Sequence, residues 1–306
     1  MNKVLVFGAN GYLGSRLALA LAERGYEVVA FVDKRFSYQT LQNVTRIETV
    51  EFVLEDIEDL NGHSYLDGVD TLYHFAWAGV NAKVRNEEEI QVQNVMFGIK
   101  VMEFAVKHGI KRVIVPGSAA EVSCGDGVIT GKELSAPSDM YSASKVATRY
   151  VCQTYARLHG LDLIWTLITS IYGPGRNDNN LISYAIQSLL NGEKPSFTGL
   201  EQQWDYLYVE DLLEAMILLG EKGVGGKVYP VGSGEHHQLN HYVETIRNLI
   251  NPELPIGIGD LPYKNPDKID NQIIDISAIR TDTGFNPKWD FERGIAVVID
   301  DYKNKK

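Results

Sequence analysis

Tyr141 and Lys145 close the segment Tyr141-Ser142-Ala143-Ser144-Lys145. Residues four apart share a face of a helix, so this spacing sets a phenol beside an ammonium. A tyrosine of ordinary pKa, about 10, is a poor proton shuttle at neutral pH. A neighbouring ammonium favours the phenolate and lowers that pKa, which makes the tyrosine usable as an acid or a base. The spacing alone is not specific, because Tyr302 and Lys306 repeat it in the C-terminal tail, where solvated charge is the simpler reading. Order along the chain distinguishes the first pair: a glycine-rich segment comes first, then Gly117-Ser118, then Tyr141 and Lys145.

The glycine segment is Gly8-Ala9-Asn10-Gly11-Tyr12-Leu13-Gly14, between the apolar run Lys3–Phe7 and the helix-like run Ser15–Arg24. Glycines at this spacing permit a tight turn, close approach of backbone to a pyrophosphate, and close packing of helix on strand. The helix N-terminus then faces the phosphates. A dinucleotide is the expected ligand. The second apolar run ends at Asp33, whose carboxylate suits a ribose hydroxyl and NAD(H), but Lys34 and Arg35 follow it and suit the extra phosphate of NADP(H). Arg16, near the turn, adds a third cation, and the balance favours NADP(H) with NAD(H) as the alternative.

The elements that must position these groups follow from periodicity. Lys3–Phe7, Val28–Val32, Thr71–Phe75, Arg112–Val115 and Leu163–Ile168 read as buried strands separated by helical patterns, which predicts a Rossmann-type α/β fold with a doubly wound parallel sheet. Ligands are expected at the carboxyl ends of its strands. After Tyr172, the run Gly173-Pro174-Gly175 breaks the rhythm. Residues 1–172 are therefore expected to form the dinucleotide-binding domain, with 206–231 returning to it, and 173–205 and 232–306 a smaller, discontinuous α/β substrate-binding domain. The helix-like Val209–Leu219 and strand-like Lys227–Val231 carry that return.

At 306 residues with 44% hydrophobic content the chain can bury a large core, and its formal charge of -11 disfavours nucleic acid and anionic membrane surfaces as partners. Two cysteines, Cys124 and Cys152, have neither metal-site spacing nor disulfide density, which reads as cytoplasmic. His236, His237 and His241 lack an accompanying fourth ligand, so no metal site is expected.

Taken together, the glycine turn, Gly117-Ser118 and the Tyr141/Lys145 pair resemble the extended short-chain dehydrogenase/reductase family, in its nucleotide-sugar branch. The resemblance spans essentially the whole chain. It implies that Asp56 and Ile57 contact the adenine, that His74-Phe75-Ala76 with Trp77 line the cofactor, and that Asn94 is the structural asparagine of the next helix. It also implies that Ser118 bonds the substrate oxygen and orients Tyr141, that Lys145 reaches the nicotinamide ribose, and that Ile171 lies beside the nicotinamide. At the substrate end, Asn180 matches the position used against the diphosphate of a nucleoside-diphosphate sugar. Trp204 stands where the family's Arg-Asp-Tyr segment has its arginine, so the diphosphate is expected to be held otherwise, by Lys264 or Arg280 together with Asn180. The resemblance further implies a homodimer through the helices of Asn94 and Tyr141, to which Val95, Ile99, Val146 and Tyr150 are suited.

In the 4,6-dehydratases of this branch the catalytic serine or threonine is followed by an Asp-Glu pair. Here Ser118 is followed by Ala119 and Ala120, with Glu121 one position late and an insertion at Ser123-Cys124. Dehydration is therefore disfavoured. The remaining groups serve redox and proton transfer at one carbon, and the chain looks like the 4-keto-sugar reductases, the group containing CDP-abequose and CDP-paratose synthases. The expected reaction is NAD(P)H-dependent reduction of the C4 keto group of a nucleotide-activated 4-keto-6-deoxy sugar. A 4-epimerase with tightly bound NAD is the alternative among enzymes. A non-catalytic NAD(P)-sensing regulator is the alternative of another class, although a regulator usually loses the tyrosine or lysine that this chain keeps.

Overall fold

In the computed structural model of the chain, residues 1–53, 57, 64–122, 127–176, 180–263 and 271–305 are described. They form a seven-stranded parallel sheet with strands β1 (Lys3–Phe7), β2 (Glu27–Asp33), β3 (Ile47–Phe52), β4 (Val69–His74), β5 (Arg112–Pro116), β6 (Asp162–Ile168) and β10 (Val228–Val231). The order is β10-β6-β5-β4-β1-β2-β3, which reverses direction about β1. This is the doubly wound Rossmann arrangement expected of the sequence, and its crevice lies outside the carboxyl ends of the strands beside β1.

Five of these strands sit where the buried apolar runs predict them, and β10 follows the return read at Lys227–Val231 by pairing with β6. The strand that the apolar runs do not announce is β3. Its sequence Ile-Glu-Thr-Val-Glu-Phe is interrupted by the exposed Glu48 and Glu51 because it is the sheet's edge, half-buried along most of its length. Inside the sheet, Phe7 meets Phe31, Phe52, Phe97 and Phe104 edge to face at centroid distances from 4.8 to 5.9 Å. These contacts bind strands β1 to β3 to the helix α2 (Glu88–Lys107).

Helix α1 (Tyr12–Glu23) follows the glycine turn, and α3 (Met140–His159) carries Tyr141 and Lys145. Asp139 starts α3 with a reciprocal cap: its Oδ1 accepts from the Ser142 amide at 2.8 Å, and Ser142 Oγ accepts from the Asp139 amide at 3.2 Å. Helices α2 and α3 lie against each other at Gly98, where a Cβ would come within 2.6 Å of Thr148 Cγ2. The remaining elements are β7 (Ser170–Tyr172), α4 (Leu181–Leu190), β8 (Gln203–Trp204), β9 (Tyr206–Tyr208), α5 (Val209–Lys222), β11 (His237–Gln238), α6 (Leu239–Ile250), α7 (Ser277–Thr283) and α8 (Phe291–Asn304). Two small sheets, β7 with β9 and β8 with β11, join them. Asp211 of α5 accepts the amides of Lys288 and Trp289, both at 2.9 Å, and so ties the approach to α8 to the sheet's flanking helix.

The glycine turn packs backbone on backbone. Gly8 has φ +78, and a Cβ there would lie 2.5 Å from the Ala76 nitrogen; a Cβ on Gly14 would lie 2.2 Å from the Gly8 carbonyl oxygen. Neither neighbour is a flexible side chain that can move aside. Gly14→Ala is therefore expected to destabilise the fold by about 1–3 kcal/mol, measured as a lower urea midpoint without a change in slope.

Candidate active site

Asn10 fastens the glycine turn to the end of β2, its Nδ2 donating to the Asp33 carbonyl at 3.0 Å and its Oδ1 accepting the Asp33 amide at 3.3 Å. No side chain caps the N-terminus of α1, whose N-cap is Gly11, as is also the case at α2, α5, α6 and α7. A backbone cradle that any Cβ would fill, opening onto a helix end whose first N–H groups lack a side-chain acceptor, fits the pyrophosphate of a dinucleotide.

Beside it, Arg35 grips Asp33: Nε donates to Oδ1 at 2.9 Å, the terminal nitrogen to Oδ2 at 2.6 Å, and the Arg35 amide to Oδ1 at 3.0 Å. The guanidinium hydrogen bond holds the Asp33 carboxyl below the usual carboxylate range. The two residues that the sequence sets in competition over NAD and NADP are thus bonded to each other, while Lys34 is exposed. Arg16 turns away from them and donates to the Pro174 carbonyl at 2.8 Å, with its guanidinium 4.1 Å from the Tyr12 ring centroid; the structure does not bring it to Asp33. The Tyr12 hydroxyl also donates to Pro174, at 3.3 Å. Leu13 packs at the start of the same helix.

The loop after β4 lines the crevice. The Phe75 amide donates to the Phe7 carbonyl at 2.9 Å, and Ala76 lies against Gly8. Asn94 holds Ala78 by both its amide and carbonyl, each at 2.9 Å. Buried Gln91 donates to the Gly79 carbonyl at 2.8 Å and accepts from Trp77 Nε1 at 3.2 Å. The sequence analysis misses Gln91; its i, i+3 relation to Asn94 is the signal that could find it. His74 is buried between Phe7 and Phe97 with neither ring nitrogen hydrogen-bonded, and burial pushes its pKa down to about 3, so it stays neutral.

Ser118, Tyr141 and Lys145 converge at the end of β5. The Ser118 side chain, which accepts the Ala120 amide at 3.2 Å, lies close enough to Tyr141 to lower its pKa. Lys145 Nζ donates to the Pro116 carbonyl at 2.8 Å, lies 3.6 Å from the Trp77 ring centroid, and is 5.9 Å from that of Tyr141. Arg85 stacks on Tyr141 at 4.7 Å and pairs with Asp139 at 2.7 Å. Burial pushes Tyr141 upward against the lowering effect of Ser118, and pushes Lys145 downward against the carboxylate of Glu121. This reverses the lowering of Tyr141 expected from spacing alone, because removing a phenolate from water costs more than Ser118 and the Arg85 guanidinium return. Tyr141 is held here as a protonated acid.

Glu121 does not face this crevice. It is fully buried, its Oε1 accepting from the Ser118 amide at 2.9 Å and Trp165 Nε1 at 3.1 Å, and its Oε2 lying 3.2 Å from Arg149 Nε. The two residues between it and Ser118 are alanines in a short 3₁₀ turn, Ala119–Glu121.

At the substrate end the expected residues scatter. Ile171 is buried in β7, its carbonyl accepting from Arg176. Asn180 uses its Oδ1 to cap α4, accepting the Ser183 amide at 3.0 Å. Trp204 donates Nε1 to Ser170 Oγ at 3.0 Å, and its carbonyl accepts from the Tyr242 hydroxyl at 2.6 Å, which anchors the indole against β7. Arg280 is not brought to the site. It lies near the C-terminal end of α7, two residues before Asp282, which bonds Lys227 at the amino end of β10, so the helix carries Arg280 toward the opposite edge of the sheet. Ile57 is buried in the core. Asp56 and Lys264 fall outside the described residues. Among the described residues no cluster of three His, Cys, Asp or Glu side chains suits a metal ion; His237 and His241 stack on each other at 4.3 Å. No described helix is long and apolar enough to cross a membrane.

A Rossmann sheet with a dinucleotide cradle at β1 and a Ser, Tyr and Lys cluster at the end of β5 defines an extended short-chain dehydrogenase/reductase. Comparison with known proteins agrees with this class. The chain belongs to the NAD dependent epimerase/dehydratase family, whose model matches residues 4–232. It is 26% identical to a dTDP-glucose 4,6-dehydratase of Neisseria meningitidis over 100% of this chain and 94% of the relative. It is 25% identical to a UDP-glucose 4-epimerase of Mycolicibacterium smegmatis over 99% of both. Among solved structures, the dTDP-glucose 4,6-dehydratase of Bacillus anthracis in complex with NAD superposes with a TM-score of 0.86 at 21% identity, covering 100% of this chain and 98% of that one.

The Asp33–Arg35 pair has a pH signature. Because the folded carboxyl is held below its unfolded value, the pair stabilises the fold above pH of about 4 and loses that contribution as pH falls through the folded pKa. Asp33→Asn is expected to unfold at lower urea than the parent at neutral pH, with the deficit narrowing as the buffer is taken below pH of about 4.

Proposed function

We propose that the chain reduces the C4 keto group of a nucleotide-activated 4-keto-6-deoxy sugar, using NADPH or NADH. The observation that carries this reading is the pairing of a protonated Tyr141 with a Ser118 that has only alanines behind it. Loss of water from a sugar requires a second acid and base near the same carbons, and Glu121, the nearest candidate, is spent on Ser118, Trp165 and Arg149. A ketone reduction needs one proton donor and one hydride donor.

A bound reduced nicotinamide would supply the hydride to C4. The Ser118 hydroxyl polarises the carbonyl oxygen by a hydrogen bond, and the Tyr141 hydroxyl transfers its proton to that oxygen, giving the alcohol and a phenolate that recovers a proton from solvent. Lys145 stabilises the phenolate transiently formed. Gly8, Gly11 and Gly14 would hold the pyrophosphate, and Trp77, packed under Lys145, would wall the nicotinamide side. Arg35 favours a 2′-phosphate, which would compete with Asp33 for its guanidinium; this supports NADPH. A 4-epimerase with retained NAD is the second reading, supported by the relative in Mycolicibacterium smegmatis and by the complete Ser118, Tyr141 and Lys145 set. We also propose that two copies pair through the outer faces of α2 and α3, where Val92, Met96 and Tyr150 are exposed.

The purified protein, supplied with NADPH and a CDP- or dTDP-linked 4-keto-6-deoxy sugar, is expected to consume one NADPH per sugar reduced, followed by the absorbance of the reduced nicotinamide. Retained NAD with interconversion of epimers and no net consumption would establish the second reading instead. Tyr141→Phe is expected to lower kcat/KM by on the order of 10²–10⁴, with cofactor binding by fluorescence nearly unchanged; full activity of this variant would sink both assignments.

A further inference from the structure

The turn that presents Ser118 is built around a carboxylate that the reaction itself does not use. Glu121 is fully buried, which pushes its pKa up, while the Arg149 guanidinium, the Ser118 amide, the Lys145 ammonium and the Trp165 indole oppose that rise and favour the carboxylate. Its two oxygens are divided between two tasks: Oε1 accepts the Ser118 amide and the Trp165 indole, and Oε2 faces Arg149, whose terminal nitrogen continues to Ser135 Oγ at 2.7 Å. Space for the carboxylate exists because residue 117 is glycine: a Cβ there would lie 2.4 Å from Glu121 Oε1 and 2.1 Å from Trp165 Nε1. Gly117 is flanked by Pro116, whose carbonyl accepts Lys145 Nζ, and by Ser118, whose amide Glu121 holds. The carboxylate therefore stands directly behind the peptide that carries both catalytic attachments.

We infer that Glu121 is a positioning residue: from behind Gly117 it holds the backbone of Ser118 and sets a carboxylate on the inner side of the strand end to which Lys145 is bonded. Several charged or titratable groups face this region. Lys145 has Tyr141 and Arg149 on its own helix, His74 from β4, and Glu121 from the 3₁₀ turn; Arg85 approaches Tyr141 from the loop after β4. Of these, His74 is held neutral and Arg149 and Arg85 are cations, so Glu121 supplies the negative charge that opposes desolvation of Lys145. The consequence for catalysis rests on the proposed Tyr141 and Lys145 pair, but the charge state of Lys145 can be read without any substrate.

The test is a pH titration of lysine ¹³Cε resonances in the full chain, with Lys145 assigned by its disappearance in Lys145→Met. Glu121→Gln keeps an oxygen for the Ser118 amide while removing the charge. Since that variant leaves Arg149 buried beside a neutral amide, Glu121→Gln/Arg149→Met is titrated as well, removing both members of the ion pair. In Glu121→Gln the Lys145 midpoint is expected to fall by about one pH unit, a tenfold loss of proton affinity, and in the double variant it is expected to fall by less, because a neighbouring cation is lost with the carboxylate. An unchanged midpoint in both overturns the inference. A fall confined to the single variant assigns the effect to the orphaned guanidinium and overturns it equally. Neither outcome depends on which sugar, if any, the protein reduces, so failure here is distinct from failure of the reductase reading.

Discussion

The arrangement depends on one interaction: a lysine ammonium, 5% exposed, held against a backbone carbonyl at the end of a central strand. A buried cation of this kind demands partners on every side. Pro116 provides the acceptor, Trp77 a ring face beneath, and Glu121 the opposing charge. Each partner imposes a further constraint. Trp77 stays in place because Gln91 takes its indole N–H, and Gln91 and Asn94 lock the loop from Ala78 to Gly79 onto α2. Helix α2 in turn touches α3, which carries the lysine, at Gly98, where there is no room for a Cβ. The circuit closes from α3 through Lys145 to Trp77, to α2, and back.

What sequence reveals of such a circuit depends on whether a residue type reports a backbone constraint or a side-chain direction. The glycines at 8, 11 and 14 report the former, since the absence of a Cβ is itself the property the fold uses, and their setting between an apolar run and a helical pattern is legible in the chain itself. Buried parallel strands are readable for a similar reason: continuous β-branched and aromatic runs have few other uses. The edge strand Ile47–Phe52 is not, because exposure lets charged residues interrupt it. Glu121 illustrates the harder case. In register it reads as a displaced catalytic acid, and only the space beside Gly117 shows that its side chain turns inward. Arg280 illustrates another, for no local pattern tells which end of the sheet a short helix approaches.

The substrate end uses its polar groups internally. Trp204 spends its indole N–H on Ser170, and Asn180 spends its carbonyl on the first turn of α4. Asp205, fully buried next to Trp204, accepts the Ser233 and Gly234 amides at 2.9 Å each, and burial pushes it up to about 6. An arginine at position 204 would bring a guanidinium next to that carboxylate in sequence. The tryptophan that stands there is a rigid apolar plane whose donor is already satisfied within the fold.

Burial acts with opposite sign on the two members of the catalytic pair, and this fixes their resting state. It raises the phenol and lowers the ammonium, so burial drives both toward their neutral forms. Two neighbours oppose the drift. Ser118 lowers Tyr141, and Glu121 raises Lys145 through its charge, although the same carboxylate also disfavours ionisation of Tyr141. The net result at rest is a protonated phenol one helical turn from a lysine whose charge burial opposes and the Glu121 carboxylate supports.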